Sequence, residues 1–210
     1  MDKQLKTVQV YDNFVRSYAD KFMKMDLYND TWLDFLALLP AHAKLLELGC
    51  GPGNVIKFFL DNRTDLKITG IDLAPKMIAY AQKLNPNANF LVQDIRNLDS
   101  IAGPYEAVVA SFCIPYLSYS DIDVFVKDLN RLTAENGLIY LSFVEGEKER
   151  SGFEKTSFTG NDAIYIYYHQ RENVESLIAR EKFEIEKFYT KQYQESDGTF
   201  STDLIYIVRN

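Results

Sequence analysis

Three acidic side chains in the first half of the chain could bind the polar groups of a ligand. Glu47, Asp72 and Asp94 each stand at or near the end of a short apolar run. Carboxylates accept hydrogen bonds from hydroxyl and amino groups, and two acceptor oxygens can hold both hydroxyls of a cis-diol. If the runs are parallel strands, their carboxyl ends meet at one edge of a sheet, where ligands bind. The three acids therefore predict a single ligand-binding crevice.

A glycine-rich turn follows Glu47. Residues 45–54 read LLELGCGPGN and continue as VIKFFL, which is the pattern of strand, tight turn and helix in nucleotide-binding α/β domains. Glycines let the backbone turn sharply and let a ligand lie close against it. We expect the ligand to contact Glu47 and the turn residues Gly49, Cys50, Gly51, Gly53 and Asn54.

Two features of the turn argue against a dinucleotide. The G-x-G-x-x-G pattern needs a glycine at position 54, where this chain has Asn54. A dinucleotide also places its pyrophosphate on the positive end of the following helix, where the Glu47 carboxylate would repel it. A ligand with an adenosine, an amino group and a sulfonium, but no phosphate, would benefit from the same carboxylate. A structural turn in an unrelated α/β protein is the alternative.

The Glu-x-Gly-x-Gly-x-Gly spacing of residues 47–53 resembles motif I of the class I S-adenosylmethionine (SAM)-dependent methyltransferases. The resemblance implies SAM as cofactor and S-adenosylhomocysteine (SAH) as product. It also implies an α/β fold with a Rossmann-like, seven-stranded, mostly parallel sheet, helices on both faces and an antiparallel C-terminal hairpin. We expect residues 1–210 to form one such domain, with a helical N-terminal extension over 1–40 and an acceptor-side insertion over 145–170.

Asp72 lies roughly 20 residues beyond the turn, where an acid that binds ribose hydroxyls is expected. Capping of the next helix is the alternative role, since Pro75 suits the first turn of that helix. Leu73 and Met77 would line the adenine side, although a packing role suits Met77 equally well.

The resemblance assigns further cofactor contacts. Asp94 matches the motif III acid that accepts from the adenine amine, and Ile95 would pack on the ring, with an ordinary loop acid as the alternative for Asp94. After the fourth strand the family contacts the cofactor, and the N-terminal extension commonly closes over it. These positions add Ser111, Phe112 and Ile114, together with Tyr11 and Tyr18 of the extension.

Candidate catalytic residues are few. Tyr116 follows the fourth strand and could equally face the core, and His169 follows the expected insertion and could be a base or a capping or packing residue. A general base is needed only if the acceptor must lose a proton. No Asn-Pro-Pro-aromatic sequence for a flipped nucleobase is present after the fourth strand, and neither is the carboxylate of a Mg²⁺-dependent catechol-type site. We therefore predict no metal.

The composition of the chain argues against some classes of binding partner. The net charge is −7 and the pI about 4.9, which gives no electrostatic footprint for nucleic acid or an anionic membrane. The two cysteines, Cys50 and Cys113, are too few for a disulfide framework and are expected to be reduced. No apolar run approaches the roughly 18 residues that span a bilayer, and residues 1–6 do not begin a signal peptide, so we expect a cytoplasmic protein.

Hydrophobic periodicity and turn signals predict the order of elements. Residues 145–160 are polar and predict a mobile loop over the acceptor pocket, and Gly137 is expected to end a helix. The predicted helices cover residues 5–24, 26–39, 54–62, 121–133 and 171–181. The predicted strands cover residues 45–48, 66–72, 88–95, 105–111, 138–144, 183–193 and 200–208.

The sequence favours an enzyme that transfers a methyl group from SAM to an oxygen, nitrogen, sulfur or carbon atom of a small molecule. A non-catalytic SAM-binding subunit, a protein methyltransferase and a dinucleotide-dependent oxidoreductase are the alternatives. Monomer and homodimer both stay open.

Overall fold

The computed structural model describes residues 3–156, 158–159, 161–195 and 197–210. The strands are β1 Lys44–Leu48, β2 Lys67–Asp72, β3 Asn89–Val92, β4 Tyr105–Ser111, β5 Thr133–Val144, β6 Gly152–Lys155, β7 Ala163–Ile166, β8 Glu184–Gln194 and β9 Phe200–Arg209. The α-helices are α1 Lys3–Asn13, α2 Val15–Phe22, α3 Asn29–Leu38, α4 Asn54–Asn62, α5 Pro75–Leu84, α6 Asp121–Leu132 and α7 Arg171–Arg180.

The main sheet has seven strands in the order β3-β2-β1-β4-β5-β9-β8. The first five of these run parallel, and β9 inserts antiparallel between β5 and β8. This arrangement confirms the predicted sheet and its C-terminal hairpin. Strands β6 and β7 form a separate antiparallel pair.

Alternating side chains of the central strands supply two hydrophobic cores, one on each face of the sheet. Leu46 and Leu48 of β1 pack with α6 and α7, whereas Leu45 packs with α3, α4 and α5. Successive side chains of a strand point to opposite faces, so an almost continuous apolar run is needed where both faces are covered. This burial accounts for the largely apolar sequences of β1, apart from Lys44 and Glu47, and of β4 from Ala107 to Ala110.

The parallel strands present their carboxyl ends at one edge of the sheet. The chain leaves β1 for β2 on one side and later returns to β4 on the other, so β1 and β4 flank the point where the strand order reverses. Ligands of open α/β sheets bind in the crevice at this point. Helices α1 and α2 lie beside this edge and pack on α5 through a small apolar cluster that includes Val15, Ala74 and Met77.

Several predicted boundaries were wrong. The single helix expected over 5–24 is two helices, because Phe14 leaves the helical conformation with φ −115° and ψ 24°. Strand β3 ends at Val92, so Asp94 lies in the following loop. Part of the loop predicted over 145–160 is β6, which pairs with β7.

The connection between α6 and β5 also differs from the prediction. Helix α6 ends at Leu132, and β5 begins directly at Thr133. Asn136, rather than Gly137, adopts the left-handed conformation, with φ 61°. Asparagine is one of the few residues other than glycine that visit this region readily, so the turn signal was assigned to the wrong residue.

Across the described residues, every helix is too short or too polar to cross a bilayer.

Candidate functional site

A cavity of about 540 Å³ opens at the carboxyl edge of the sheet. Its floor is formed by the glycine turn after β1 and by the residues that follow β2 and β4. Helices α1 and α2, the β6–β7 pair and the end of the β8–β9 hairpin form its walls. This volume is in the range of small-molecule and cofactor sites.

The glycine turn brings backbone close to the cavity. Gly49 has φ +68°, and a Cβ built on it would lie 2.7 Å from Cβ of Cys113, so only glycine fits there. Gly51 has φ +52° and lines the cavity, and a Cβ built on it would meet no atom within 4 Å in the described part of the chain. The turn thus leaves open space beside its backbone, which is what a closely bound ligand requires.

Asp72 joins the end of β2 to the glycine turn. Its Oδ2 accepts a hydrogen bond from the Gly51 N–H at 2.9 Å, and its Oδ1 accepts from the Ala74 N–H at 2.8 Å. Burial raises the pKa of this carboxyl, and the two backbone donors oppose that rise. Because a carboxylate has about four acceptor positions, the two backbone bonds leave capacity for ligand hydroxyls. The helix-start role and the ligand role are therefore compatible.

Glu47 is the most unusual group in the cavity wall. Its side chain is 2% exposed, and Oε2 has no hydrogen-bond partner among the described residues. Burial raises the pKa of the Glu47 carboxyl well above its usual range, and the neighbouring Asp72 charge adds to the rise. A buried acceptor without a partner costs free energy unless a ligand supplies the missing donor.

The predicted adenine side contains an ion pair that the sequence did not predict. Leu73, Met77 and Ile95 line the cavity together with Asp94. The Arg96 Nε–H donates to both Asp94 oxygens, at 2.9 Å and 3.0 Å, and the Arg96 backbone N–H also donates to Oδ1. Most acceptor capacity of Asp94 is therefore already used by Arg96.

Aromatic side chains close one side of the cavity. Tyr11 of α1 and Tyr18 of α2 both line it, as predicted from the N-terminal extension. The rings of Tyr11 and Tyr18 lie 5.4 Å and 5.1 Å from that of Phe158, which belongs to the segment between β6 and β7. No sequence pattern pointed to Phe158, because its role depends on two segments about 140 residues apart meeting in space.

Tyr116 also lines the cavity, where its hydroxyl is hydrogen-bonded to that of Tyr11. Burial raises the pKa of Tyr116 to about 12. The Tyr116 hydroxyl is therefore protonated at neutral pH, so it can donate a hydrogen bond but is a poor base.

Four further predicted site residues belong to the glycine turn, to the start of α4 and to the end of β4. Cys50, Asn54, Ser111 and Phe112 line the cavity, and burial keeps the pKa of the Cys50 thiol high. Both cysteines are free, as predicted.

Three predicted site residues are not among those that line the cavity. Gly53 faces α5, where its carbonyl accepts from Nδ2 of Asn85 at 3.0 Å. Ile114 is 1% exposed and belongs to the core on the α6 side. His169 is 2% exposed, its Nε2 lies 3.1 Å from the Leu117 carbonyl oxygen, and burial lowers its pKa. These three residues pack against protein atoms in the structure, and their contacts with the ligand stay predictions.

The part of the cavity beyond Phe112 contains residues that the sequence analysis missed. Asp203 of β9 is 2% exposed and accepts a hydrogen bond from the Tyr28 hydroxyl at 2.6 Å. The Tyr28 ring lies 4.9 Å from that of Phe112. An acid in an alternating strand is a signal for a solvent-facing position, and only the closure of the cavity by the hairpin makes Asp203 a buried one.

Among the described residues, no group of three or more His, Cys, Asp or Glu side chains could hold a metal ion.

Comparisons with known proteins agree with this geometry. Residues 45–137 match a family model described as a methyltransferase domain. YqeM of Bacillus subtilis, a methyltransferase by provisional name, is 27% identical over 169 residues, which are 77% of this chain and 66% of YqeM. The demethylmenaquinone methyltransferase of Thermotoga maritima is 28% identical over 126 residues, which are 60% of this chain and 50% of that protein.

The fold is likewise similar to solved structures. The N-methyltransferase NodS of Bradyrhizobium japonicum, solved with SAH, superposes with a TM-score of 0.70 over 98% of both chains at 15% sequence identity. At this identity the likeness concerns the fold. The chain spans between 38% and 66% of the length of the first three curated relatives that it matches.

Proposed function

We propose that this chain binds SAM as a class I methyltransferase and transfers its methyl group to a small-molecule acceptor, and the match of residues 45–137 to a methyltransferase-domain model supports this. SAM supplies, when bound, an electrophilic methyl group on a positively charged sulfur.

The observation that carries the proposal is the buried Glu47 carboxylate with its unpartnered Oε2. SAM offers an ammonium group, which is the donor that this oxygen lacks, and it has no phosphate for the carboxylate to repel. A charge-assisted hydrogen bond between the two would satisfy the orphaned acceptor. The missing glycine at position 54 supports the same distinction from a dinucleotide.

Other residues of the cavity fit the rest of the cofactor. The remaining acceptor capacity of Asp72 suits the two ribose hydroxyls, and the open space beside Gly51 allows the ligand to approach the backbone. Leu73, Met77 and Ile95 offer apolar surface for an adenine ring. Because Arg96 already donates hydrogen bonds to both carboxylate oxygens of Asp94, we assign the pair, rather than Asp94 alone, to the adenine edge.

Catalysis in this proposal rests on alignment and on exclusion of water. The leaving group of the transfer is neutral, so the chain needs chiefly to hold the acceptor in line with the methyl group. Tyr11 and Tyr18 of α1 and α2 would cover the reacting groups, with Phe158 packed against them. The Tyr116 hydroxyl would orient a ligand by donating a hydrogen bond.

The cavity also bears on the alternatives. A non-catalytic SAM-binding subunit predicts a blocked acceptor pocket, whereas this cavity extends beyond Phe112 to Tyr28 and Asp203. The names of the similar proteins include a demethylmenaquinone methyltransferase and an N-methyltransferase, so they do not agree on one acceptor class.

Thermal unfolding of the purified chain with increasing SAH, and in parallel with NAD, tests the proposal. A ligand that binds only the folded state raises the unfolding temperature as its concentration increases. We expect a rise with SAH and none with NAD. Stabilisation by NAD alone would assign the cavity to a dinucleotide, and no stabilisation by either ligand would contradict cofactor binding.

Asp72→Ala should weaken SAH binding by about 1–3 kcal/mol, because ligand hydroxyls lose a charged acceptor. Asp72→Asn keeps one acceptor oxygen for the backbone and should give a smaller loss. Asp123→Ala, which removes an exposed carboxylate paired with Arg180, serves as the control and should leave SAH affinity unchanged. Equal SAH affinities in all four proteins would rule out the ribose role of Asp72.

A further inference from the structure

The half of the cavity away from the glycine turn has its own chemistry. It is lined by aromatic rings and by more acidic than basic side chains. The acids are Glu154, Glu195, Asp197 and Asp203, and the basic side chains are Arg150 and Lys155. The Arg150 guanidinium lies 4.3 Å from the Tyr168 ring centroid and donates to the Tyr168 hydroxyl. An excess of negative charge therefore faces whatever binds here.

Asp203 stands out among these acids because it is buried and only partly satisfied. Tyr28 donates to its Oδ2, and no hydrogen-bond donor to Oδ1 is found among the described residues. Burial, together with the charge of Glu195, raises the pKa of Asp203 to about 6, while the Tyr28 hydrogen bond lowers it. At neutral pH the side chain is therefore still an anion, with one oxygen open toward the cavity that it lines.

The position of Asp203 relates it to the reacting end of the cofactor cleft. Asp203 pairs in register with Val144, the last residue of β5. The Tyr28 ring that holds Asp203 packs against Phe112, directly after β4, and Phe112 lines the same cavity. Tyr193 lies diagonally across the hairpin from Asp203, since Tyr193 pairs with Ser201 and Lys191 pairs with Asp203. Asp203 is thus flanked by aromatic rings.

We propose that the acceptor carries an ammonium group, separate from the nucleophilic atom that receives the methyl group, and that Asp203, positioned by Tyr28, is the carboxylate that selects it. The inference rests on the proposed methyl transfer and names the acceptor class of the same cavity. A carboxylate with an open oxygen forms a charge-assisted hydrogen bond to an ammonium group. The faces of Tyr28, Tyr193 and Phe112 attract the same positive charge through cation–π interactions. An anionic acceptor would instead meet four carboxylates and would be repelled.

Matched probes test the charge preference directly. Phenethylamine, 2-phenylethanol and 3-phenylpropanoate share an aromatic body and differ in charge, and each is titrated calorimetrically into the protein with and without saturating SAH. We expect phenethylamine to bind about tenfold or more tightly than 3-phenylpropanoate, with the alcohol between them. Equal affinities, including no measurable binding of either charged probe, would overturn the proposal.

Variants identify the residue that selects the amine. Asp203→Asn should reduce the preference for phenethylamine to within about threefold, because the open oxygen loses its charge. Tyr28→Phe frees the Asp203 carboxylate and should weaken the preference less. The matched control is Asp34→Asn. Asp34 also accepts a hydrogen bond from a tyrosine, Tyr189, but it does not line the cavity.

An unchanged preference in Asp203→Asn would remove Asp203 from the proposal. Failure of the proposed function is distinguishable, since it would appear as a protein that SAH does not stabilise, whereas the amine preference is also measured without SAH.

Discussion

The Glu47 carboxylate is buried without a full set of hydrogen-bond partners. Folded proteins rarely retain such a group, because a buried acceptor loses its hydration and receives nothing in return. Functional sites are the usual exception, where a locally unfavourable arrangement is stabilised by the rest of the fold. Glu47 is only 2% exposed. Its neighbours in β1 belong to the two hydrophobic cores, and their packing holds Glu47 in its buried position.

Glu47→Gln should therefore stabilise the ligand-free protein while weakening ligand binding. Burial raises the Glu47 pKa, so the folded chain binds the proton more tightly than the unfolded chain, whose carboxyl titrates near pH about 4.3. The free energy of unfolding then falls as pH rises above that value, until Glu47 is ionised in the folded state as well. Glutamine carries no charge and removes this loss.

Urea denaturation at pH about 4 and pH about 8 measures the effect. The gain should be on the order of 1 kcal/mol at the higher pH and small at the lower pH. SAH should stabilise the variant less than the wild type. A variant that is destabilised at the higher pH, or that SAH stabilises fully, would contradict the role assigned to Glu47.

At the scale of elements, the turn between β1 and α4 is fixed by a close approach as well as by backbone conformation. Gly49 lies against Cys113, which follows β4, so the turn and the β4 end are packed together at the floor of the cavity. Gly198 in the β8–β9 hairpin has φ +88°, but a Cβ on it would meet no atom of the described residues within 4 Å. Both glycines have a positive φ, but only Gly49 also has a neighbouring atom that a side chain would overlap. A comparison of the two positions therefore distinguishes the cost of backbone strain from the cost of steric overlap.

Gly49→Ala should destabilise the protein more than Gly198→Ala. Alanine in the left-handed region costs about 1–2 kcal/mol at either site. At position 49 the contact with Cβ of Cys113 adds about 1–3 kcal/mol of overpacking. Thermal unfolding of both variants measures the difference, and equal losses would mean that the turn can move away from Cys113.

The elements around the cavity come from distant parts of the chain. Gln4 of α1 donates to the Tyr116 carbonyl at 3.1 Å, and Thr7 accepts from the Tyr165 N–H of β7 at 3.0 Å. Asp12 at the end of α1 accepts from the N–H of Lys76 in α5 at 2.8 Å. Helix α1 is therefore tied to three different elements across the cavity, which is the arrangement expected of a covering segment.

For the whole molecule, carboxylates concentrated at one sheet edge couple stability to pH. Asp203 has its pKa raised to about 6, so the folded chain holds its proton longer than the unfolded chain does. As with Glu47, the free energy of unfolding falls while pH rises, here between about 4 and about 6. Asp65 acts in the opposite sense, because Arg63 holds its pKa below the usual range and stability is lost on acidification.

Comparison of Asp203→Asn with the wild type isolates the Asp203 contribution from these opposing groups. The wild type should lose stability relative to the variant by up to about 3 kcal/mol between pH about 4 and pH about 6, with no further relative loss above that range. Urea denaturation of the ligand-free proteins across this range gives the difference. A difference that is independent of pH would show that Asp203 titrates normally.

The sequence by itself determined the fold class and the floor of the site. Near-continuous apolar runs separated by helical periodicity predict a parallel sheet, and the glycine spacing after Glu47 predicts a tight turn at its edge. These signals are local, because strand burial, turn conformation and helix periodicity are each set by neighbouring residues. Glu47, Asp72, Gly49 and Gly51 were therefore predicted from the sequence and lie in the floor of the cavity.

Only the tertiary structure decided the walls of the cavity and the pairing of its charges. Phe158 packs against Tyr11 and Tyr18, Arg96 donates hydrogen bonds to Asp94, and the Tyr28 hydroxyl donates to Asp203. The first and the last of these three contacts join segments more than 100 residues apart. Conversely, the sequence positions of His169 and Ile114 suggested contacts with a ligand, but both side chains are buried in the interior. Burial and the contacts between distant segments depend on which surfaces meet, and a local pattern in the chain carries no record of that. The Asp94–Arg96 pair is local in sequence and depends instead on the conformation of the loop after β3.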